Sequence, residues 1–240
     1  MLKNNYTQDY ADRIFNQILG FGEYGFPESH SASFALLAYA SAWLKLYHPA
    51  QFLCALLNSQ PMGFYSASQL VQDAQKAKGA RPAVEVRPVD VSASNWDCTL
   101  EPTAQGAQAV RLGLRMAKGL GQVAAERITS KRSNAPFASV ADLAERAALD
   151  RRDLDALARA GALEPIAGHR HAASWVVAGI EVQSSLLRGT AARAESPRLR
   201  APTEGETLVA DYASVRVTLR RHPPALLKLG RAHLPPPPTP

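Results

Sequence analysis

The chain has 240 residues, of which 46% are hydrophobic, and a formal net charge of +6 at neutral pH. This length allows one large domain or two small ones, and the composition is that of a globular protein. No apolar run reaches the roughly 18 residues that a membrane span needs, and the polar start of the chain does not resemble a signal peptide. We therefore expect a cytoplasmic chain without membrane contact.

The charge is unevenly distributed along the chain. Residues 1–110 carry seven Lys or Arg against nine Asp or Glu, whereas residues 111–240 carry twenty against twelve. The basic half is rich in arginine, which favours an anionic partner such as nucleic acid. Basic solvated surfaces are common, so charge alone does not identify that partner.

The first eighty residues predict a helical block. Helical spacing of apolar residues and the proline positions predict helices over residues 8–19, 30–47, 50–58 and 67–78. The second of these is apolar on nearly all faces, so we expect it to be buried. We expect the same of most of its aromatic stripe, which consists of Phe34, Tyr39, Trp43 and Tyr47. Cys54 follows in an apolar helix, where a buried free thiol is expected.

A glycine-rich loop, residues 20–28, joins the first two predicted helices. Its glycines, Gly25 among them, allow sharp turns and close approach to a ligand. Ser29 is a candidate N-cap, and the free N–H groups of a helix start suit a phosphate or another anion. His30 and Ser31 stand in this first turn. His30 is either a structural histidine or a ligand contact, and no nearby carboxylate makes it a general base.

A short β element follows the helical block. Residues 83–91 alternate in strand fashion, although Pro88 limits that strand to an edge or a bend. Residues 96–100 and 109–114 predict a strand pair joined by a polar loop.

The segment from Arg115 to Ile128, RMAKGLGQVAAERI, resembles a helix-hairpin-helix element. Gly119 and Gly121 permit a tight hairpin whose N–H groups point at a phosphate oxygen, and the following helix adds its dipole. Lys118 and Arg127 add charge that makes binding dependent on salt but not on sequence. The alternative is a helical turn whose glycines serve packing.

Further short helices are predicted over residues 139–147, 151–160 and 169–182. Residues 149–166 form a candidate second, degenerate copy of the hairpin motif, with Gly161 either as its turn or as a helix C-cap. His169 and His171 have no further ligand at metal-site spacing and indicate a basic helix start instead. Beyond about residue 185 the composition predicts disorder, with polyproline character at the end.

These residues together resemble a known family. Residues 20–66, which begin GFGEYGFPESHSASF, resemble the end of the fingers domain of bacterial C-family DNA polymerases of the DNA polymerase III alpha-subunit type. Pro27 and Glu28 match the error-prone branch of that family. Residues 84–101, 111–128 and 136–173 continue the resemblance in the family's order, and residues 204–223 resemble the connector before an OB-type domain.

The resemblance implies a mostly α fold with a small β insertion. Residues 1–80 would be the C-terminal part of the fingers domain, and 81–114 the short β element. Residues 115–183 would form a tandem helix-hairpin-helix region. Residues 184–240 would be a connector and a disordered tail rich in proline and arginine, with the OB-type domain missing.

The resemblance also implies an activity, which is template-directed nucleotidyl transfer by an error-prone DNA polymerase. Such enzymes act in damage-induced mutagenesis, translesion synthesis and DNA repair. In the complete enzyme the loop residues Gly25, Ser29, His30 and Ser31 would face the nascent base pair or the template. The hairpin residues Lys118, Gly119, Gly121 and Arg127 would contact the duplex backbone.

The catalytic machinery is expected elsewhere in such an enzyme. Mg²⁺ would be held by palm carboxylates in a domain that this chain does not include, so we expect neither catalytic nor metal residues here and no polymerase activity from the chain alone. The implied partners are DNA primer-template and dNTP. The sliding clamp and accessory mutagenesis proteins would bind through regions outside the chain.

Two other interpretations stay open from the sequence. In one, the chain is a non-enzymatic helix-hairpin-helix module that binds DNA. In the other, it is a truncated gene product without function.

Overall fold

The computed structural model describes residues 7–23, 28–180, 197 and 199–221, without the side chains of residues 20–23, 28 and 29. The chain divides into two compact units, Met1–Tyr47 and His48–Pro240. The helices are α1 (Gln8–Glu23), α2 (Glu28–Tyr47), α3 (Pro49–Asn58), α4 (Ala67–Ala74), α5 (Gln122–Asn134), α6 (Val140–Arg146), α7 (Arg151–Arg159), α8 (Glu164–Ala167), α9 (Arg170–Gly179) and α10 (Glu204–Ser214). The strands are β1 (Val86–Arg87), β2 (Thr99–Pro102) and β3 (Gln108–Arg111). The predicted fold class, mostly α with a small β insertion, is confirmed.

The first unit contains α1 and α2 in its described part, and it corrects the predicted loop. Helix α1 continues through Gly20 and Gly22 to Glu23, beyond the predicted end at residue 19. Helix α2 begins at Glu28, so Ser29 lies inside the helix and is not its N-cap. Gly25 lies outside the described residues.

The expected burial of α2 is wrong within this chain. Phe34, Tyr39, Trp43 and Tyr47 are between 44% and 72% exposed. A helix that is apolar on all faces is buried only where other surfaces surround it. The described part of this unit supplies no such layer around α2.

The second unit begins with the helix pair α3 and α4. His48 separates α2 from α3, as predicted, because a proline follows it. Helix α4 starts with a capping box in which Ser66 accepts from the N–H of Gln69. It ends at Ala74, four residues before the predicted end. Val71 and Ala74 point into the core, as predicted.

In chain order, a three-stranded sheet comes between α4 and α5, and its strand order is β1-β3-β2. Strand β1 runs parallel to β3, and β2 runs antiparallel to it, with Leu100 opposite Val110. The predicted pair is thus present with shifted bounds. The predicted strand over residues 83–91 is reduced to Val86–Arg87, because Pro88 lacks the N–H that would continue the ladder.

The helices after the sheet share one core with it. A single buried cluster contains Val110 of β3, Leu112 just after it, Ile128 of α5, Leu154 of α7 and Leu163 just before α8. Most of these helices have side-chain N-caps, namely Ser139, Asp150, His169 and Thr203. His169 is therefore a cap, and the Nδ1 atom of its neighbour His171 lies 2.9 Å from the carbonyl oxygen of Arg200.

The end of the described chain also belongs to this core. Helix α10 and the residues after it fall within the stretch predicted as connector and disordered tail. Leu208, Val215 and Val217 are nevertheless buried. The rest of the predicted tail, residues 181–196, 198 and 222–240, lies outside the described residues. None of the described helices is long and apolar enough to cross a membrane.

Candidate nucleic-acid interface

The first hairpin joins a single 3₁₀ turn, Leu114–Met116, to helix α5. Gly119 has a φ of +98°, which a residue with a side chain rarely adopts. Ala117 and Leu120 are buried in the core, and the N–H of Leu120 donates to the carbonyl of Ala117 at 3.2 Å. Lys118, Gly119 and Gly121 are exposed. The core therefore holds the hairpin while its tip faces solvent.

The backbone N–H groups of this tip are available to a ligand. Across the described part of the chain, no acceptor is found for the N–H groups of Gly119, Gly121, Gln122 and Val123. Gly121 is the N-cap of α5 and has no side chain to satisfy the first turn. The start of α5 also carries the partial positive charge of a helix N-terminus.

Lys118 has two separate roles in the hairpin. Its backbone N–H donates to the carbonyl of Ser214, at the end of α10, at 2.9 Å. Its side chain is exposed, and the described residues provide no ion pair for it. The backbone is thus fixed while the ammonium group can meet an anion.

Arg127 is less available than the sequence suggests. Its Nη2 atom lies 3.7 Å from Oδ2 of Asp153, and its side chain is 42% exposed. Its Nε atom is buried without an acceptor in the described residues. Burial raises the pKa of Asp153, as does Asp150, whereas Arg127 lowers it. A phosphate at Arg127 would therefore compete with Asp153.

The second, degenerate copy of the motif is closed. Gly161 forms its turn with a φ of +73°, and the residue is buried. The N–H groups of Gly161 and Ala162 donate to the carbonyls of Ala158 and Leu157, the pattern of a Schellman C-cap. The carboxylate of Glu164 also lies against Gly161. This turn serves packing, which agrees with the C-cap interpretation.

The predicted loop site belongs to the first unit. Gly25 is outside the described residues, and the side chain of Ser29 is not described. His30 and Ser31 are exposed in the first turns of α2. The ring of His30 packs edge-on against Phe34, with centroids 4.6 Å apart.

Sequence reasoning missed Ser214 and Asp153 as partners of the hairpin residues. Ser214 follows Lys118 by ninety-six positions, and no local pattern links two such residues.

Among the described side chains, no group of three or more His, Cys, Asp or Glu could hold a metal ion.

The chain is similar to a known motif family and to several known proteins. Residues 83–173 match the helix-hairpin-helix motif family, so this part of the chain is a helix-hairpin-helix region. The chain is 56% identical over 228 residues to the error-prone DNA polymerase of Alkalilimnicola ehrlichii. It is 51% identical over 246 residues to that of Methylococcus capsulatus, and 54% identical over 232 residues to that of Pseudomonas syringae.

These matches each cover 95% of this chain but only 22% or 23% of the relative. The resemblance to the error-prone branch of bacterial DNA polymerases is therefore confirmed: the chain is homologous to these enzymes along nearly all its length. It spans about a fifth of the length of the curated relatives it matches.

Proposed function

We propose that this chain is the part of an error-prone, DNA-directed DNA polymerase that holds duplex DNA, with its first hairpin on the phosphate backbone. The open N–H groups of Gly119 and Gly121, at an uncapped helix start, are the observation that carries this proposal. Such groups bind a phosphate oxygen without reading the base sequence. The homology to DNA polymerases indicates that the anionic ligand is duplex DNA.

The first unit would also contact the substrate in the complete enzyme. We assign Gly25, Ser29, His30 and Ser31 to the nascent base pair or the template, on the strength of the resemblance. The relatives' name supports a role in error-prone synthesis. From the family resemblance we extend this proposal to damage-induced mutagenesis and repair in the cytoplasm. A sliding clamp and accessory mutagenesis proteins would bind through other regions.

The metal chemistry of nucleotidyl transfer belongs outside this chain in the proposal. The described residues bring no carboxylate cluster together that fits Mg²⁺, so no catalytic step is assigned to them. We therefore expect no primer extension when the chain is incubated with primer-template, dNTP and Mg²⁺. Extension that a substitution within this chain abolishes would contradict this assignment.

The hairpin proposal is tested by fluorescence anisotropy with a short labelled duplex at increasing salt. Lys118→Ala removes one exposed cation, so the slope of log K against log salt should fall by about 1. Lys76→Ala is the matched control, because Lys76 is also exposed and lies after α4, outside the hairpin motif. Equal slopes for Lys118→Ala and the unchanged chain would refute the hairpin as the binding site.

Arg127 provides a second test of the same site, in which a substitution is expected to raise the affinity for duplex DNA. Asp153→Asn removes the carboxylate that competes for Arg127, so duplex affinity should rise. In an Arg127→Ala background the same substitution should have no such effect. A gain that persists in that background would show that Arg127 is not a phosphate contact.

A further inference from the structure

The chain after α10 is held against the hairpin. The carbonyl of Ser214 accepts the N–H of Lys118 at 2.9 Å. Val215 and Val217 are only 5% and 3% exposed and pack into the core. Arg216, between them, is exposed. Two residues span at most about 7 Å, so the Cα of Arg216 lies within that distance of Ser214.

Arg216 is a cation without a partner among the described residues. Among the arginines of this region, Arg170 contacts Asp211 and Arg221 contacts Glu204, whereas the described residues provide no ion pair for Arg220. No ion pair or side-chain hydrogen bond is found for Arg216 in the described ranges. Its charge is therefore available to an anion that approaches the hairpin.

The backbone of Arg216 adopts an unusual conformation. Its φ is +63°, in the left-handed region that favours glycine. The conformation is enforced by the hydrogen bonds from the N–H groups of Val215 and Arg216 to the carbonyl of Asp211. A glycine would relieve the strain, and yet an arginine occupies the position. Strain of this kind persists where the surrounding structure enforces it, and it often accompanies function.

The C-terminal end of α10 carries partial negative charge that the charge of Arg216 can offset. The C-terminal end of a helix carries partial negative charge, and here the Ser214 carbonyl brings it to the hairpin. This negative end opposes a phosphate at the hairpin N–H groups. A cation two residues further along the chain offsets it.

We propose that Arg216 is an additional contact to the DNA phosphate backbone, beside the hairpin. The inference rests on the proposed function of the hairpin. The guanidinium binds a phosphate next to the one held by Gly119 and Gly121, and so adds affinity without base specificity.

The experiment uses the full chain, a short fluorescein-labelled duplex and salt from about 50 to 200 mM. Arg216→Ala and Arg216→Gly should each lower the salt slope by about 1 and weaken binding severalfold. Arg216→Lys keeps the charge, so it should retain the slope of the unchanged chain. Arg216→Gly also relieves the strain, so its urea midpoint should rise while its DNA binding falls. This opposition separates lost contact from lost folding.

Two controls separate the inference from the proposal beneath it. Lys76→Ala, an exposed cation outside the hairpin motif, should leave the slope unchanged. If Arg216→Ala and Arg216→Gly keep the full slope while Lys118→Ala lowers it, Arg216 is not a contact and the hairpin proposal stands. If Lys118→Ala also keeps the full slope, the hairpin proposal itself is wrong. A slope for Arg216→Lys as low as that for Arg216→Ala would also overturn the phosphate contact.

Discussion

The guanidinium of Arg170 donates from Nη2 to Oδ1 of Asp211 at 2.6 Å, which joins α9 to α10. Both side chains are largely buried, with 8% and 14% exposed. Asp211 also accepts from the hydroxyl of Thr218 at 3.0 Å. One carboxylate therefore ties together α9, α10 and the strained segment that carries Arg216.

Asp211→Ala should destabilise the fold strongly. It leaves the buried guanidinium of Arg170 without its counter-charge, which costs about 3–5 kcal/mol in the free energy of unfolding. Urea denaturation followed by far-UV circular dichroism measures this loss. Glu204→Gln, which breaks the exposed pair with Arg221, is the control and should leave the midpoint nearly unchanged. An Asp211→Ala chain as stable as the original would show that the pair contributes nothing.

Ala148→Gly should stabilise the second unit. Ala148, two residues after the end of α6, has a φ of +48°, and the N–H of Leu149 donates back to the carbonyl of Ala144 at 3.0 Å. Glycine adopts this conformation without strain, so we expect a gain of about 0.5–1 kcal/mol after its greater unfolded entropy is counted. Ala144→Gly, inside α6, should instead cost about 1 kcal/mol. Urea midpoints that move in the same direction for both substitutions would contradict this account.

Gly113→Ala should be poorly tolerated. A Cβ at this position would overlap the Trp96 carbonyl oxygen and lie 2.7 Å from the Asp97 carbonyl oxygen. Both obstacles are backbone atoms, so relief requires separating two segments that the Leu114 N–H bond to Asn95 holds together. We expect a loss of about 3 kcal/mol or more, seen as a lower melting temperature. Gly63→Ala meets no atom within 4 Å and should melt like the unchanged chain.

The Glu101 cluster should make stability depend on acid pH. Hydrogen bonds from Arg111 at 2.9 and 3.0 Å, and from Arg87 at 2.6 Å, hold the pKa of Glu101 below its usual value, although burial opposes them. A lowered folded pKa means that the stabilisation is complete above the unfolded pKa. It is lost as the pH falls through the folded value.

Glu101→Gln should therefore cost about 1–3 kcal/mol near neutral pH, and the difference should shrink below about pH 4. Urea unfolding at a series of pH values measures both parts. Glu145→Gln controls for the loss of one negative charge, since Glu145 is exposed on α6. A difference that stays constant down to acid pH would rule out the ionised carboxylate as its source.

Local sequence chemistry predicted the elements that depend only on neighbouring residues. Gly119 and Gly121 indicated a hairpin because a positive φ and an open helix start are properties of a few adjacent residues. The break at His48 followed from the proline after it. The loop before α2 was misjudged because glycine is permitted in helices as well as in turns, and α1 uses Gly20 and Gly22 in that way.

Burial and long-range contacts could not be predicted from neighbouring residues in this way. The apolar surface of α2 predicted a buried helix. Burial depends on which surfaces surround a helix, and the described part of the first unit supplies no surface that covers α2. The stretch beyond about residue 185 was predicted to be largely disordered, yet α10 contacts α7, and Val215 and Val217 after it belong to the core. The local sequence of α10 favours a helix only weakly, and contacts with segments distant in the chain stabilise it.

The sequence by itself therefore determined the glycine hairpin with a lysine beside it and the resemblance of the chain to error-prone DNA polymerases. Only the tertiary structure decided which of its residues face solvent. In the folded chain the N–H of Lys118 donates to the carbonyl of Ser214, and Arg127 lies beside Asp153. The turn at Gly161 is buried and packed against Glu164. The physical reason is that conformational preference is local, whereas hydrogen-bond pairing and burial are settled between segments far apart in the chain.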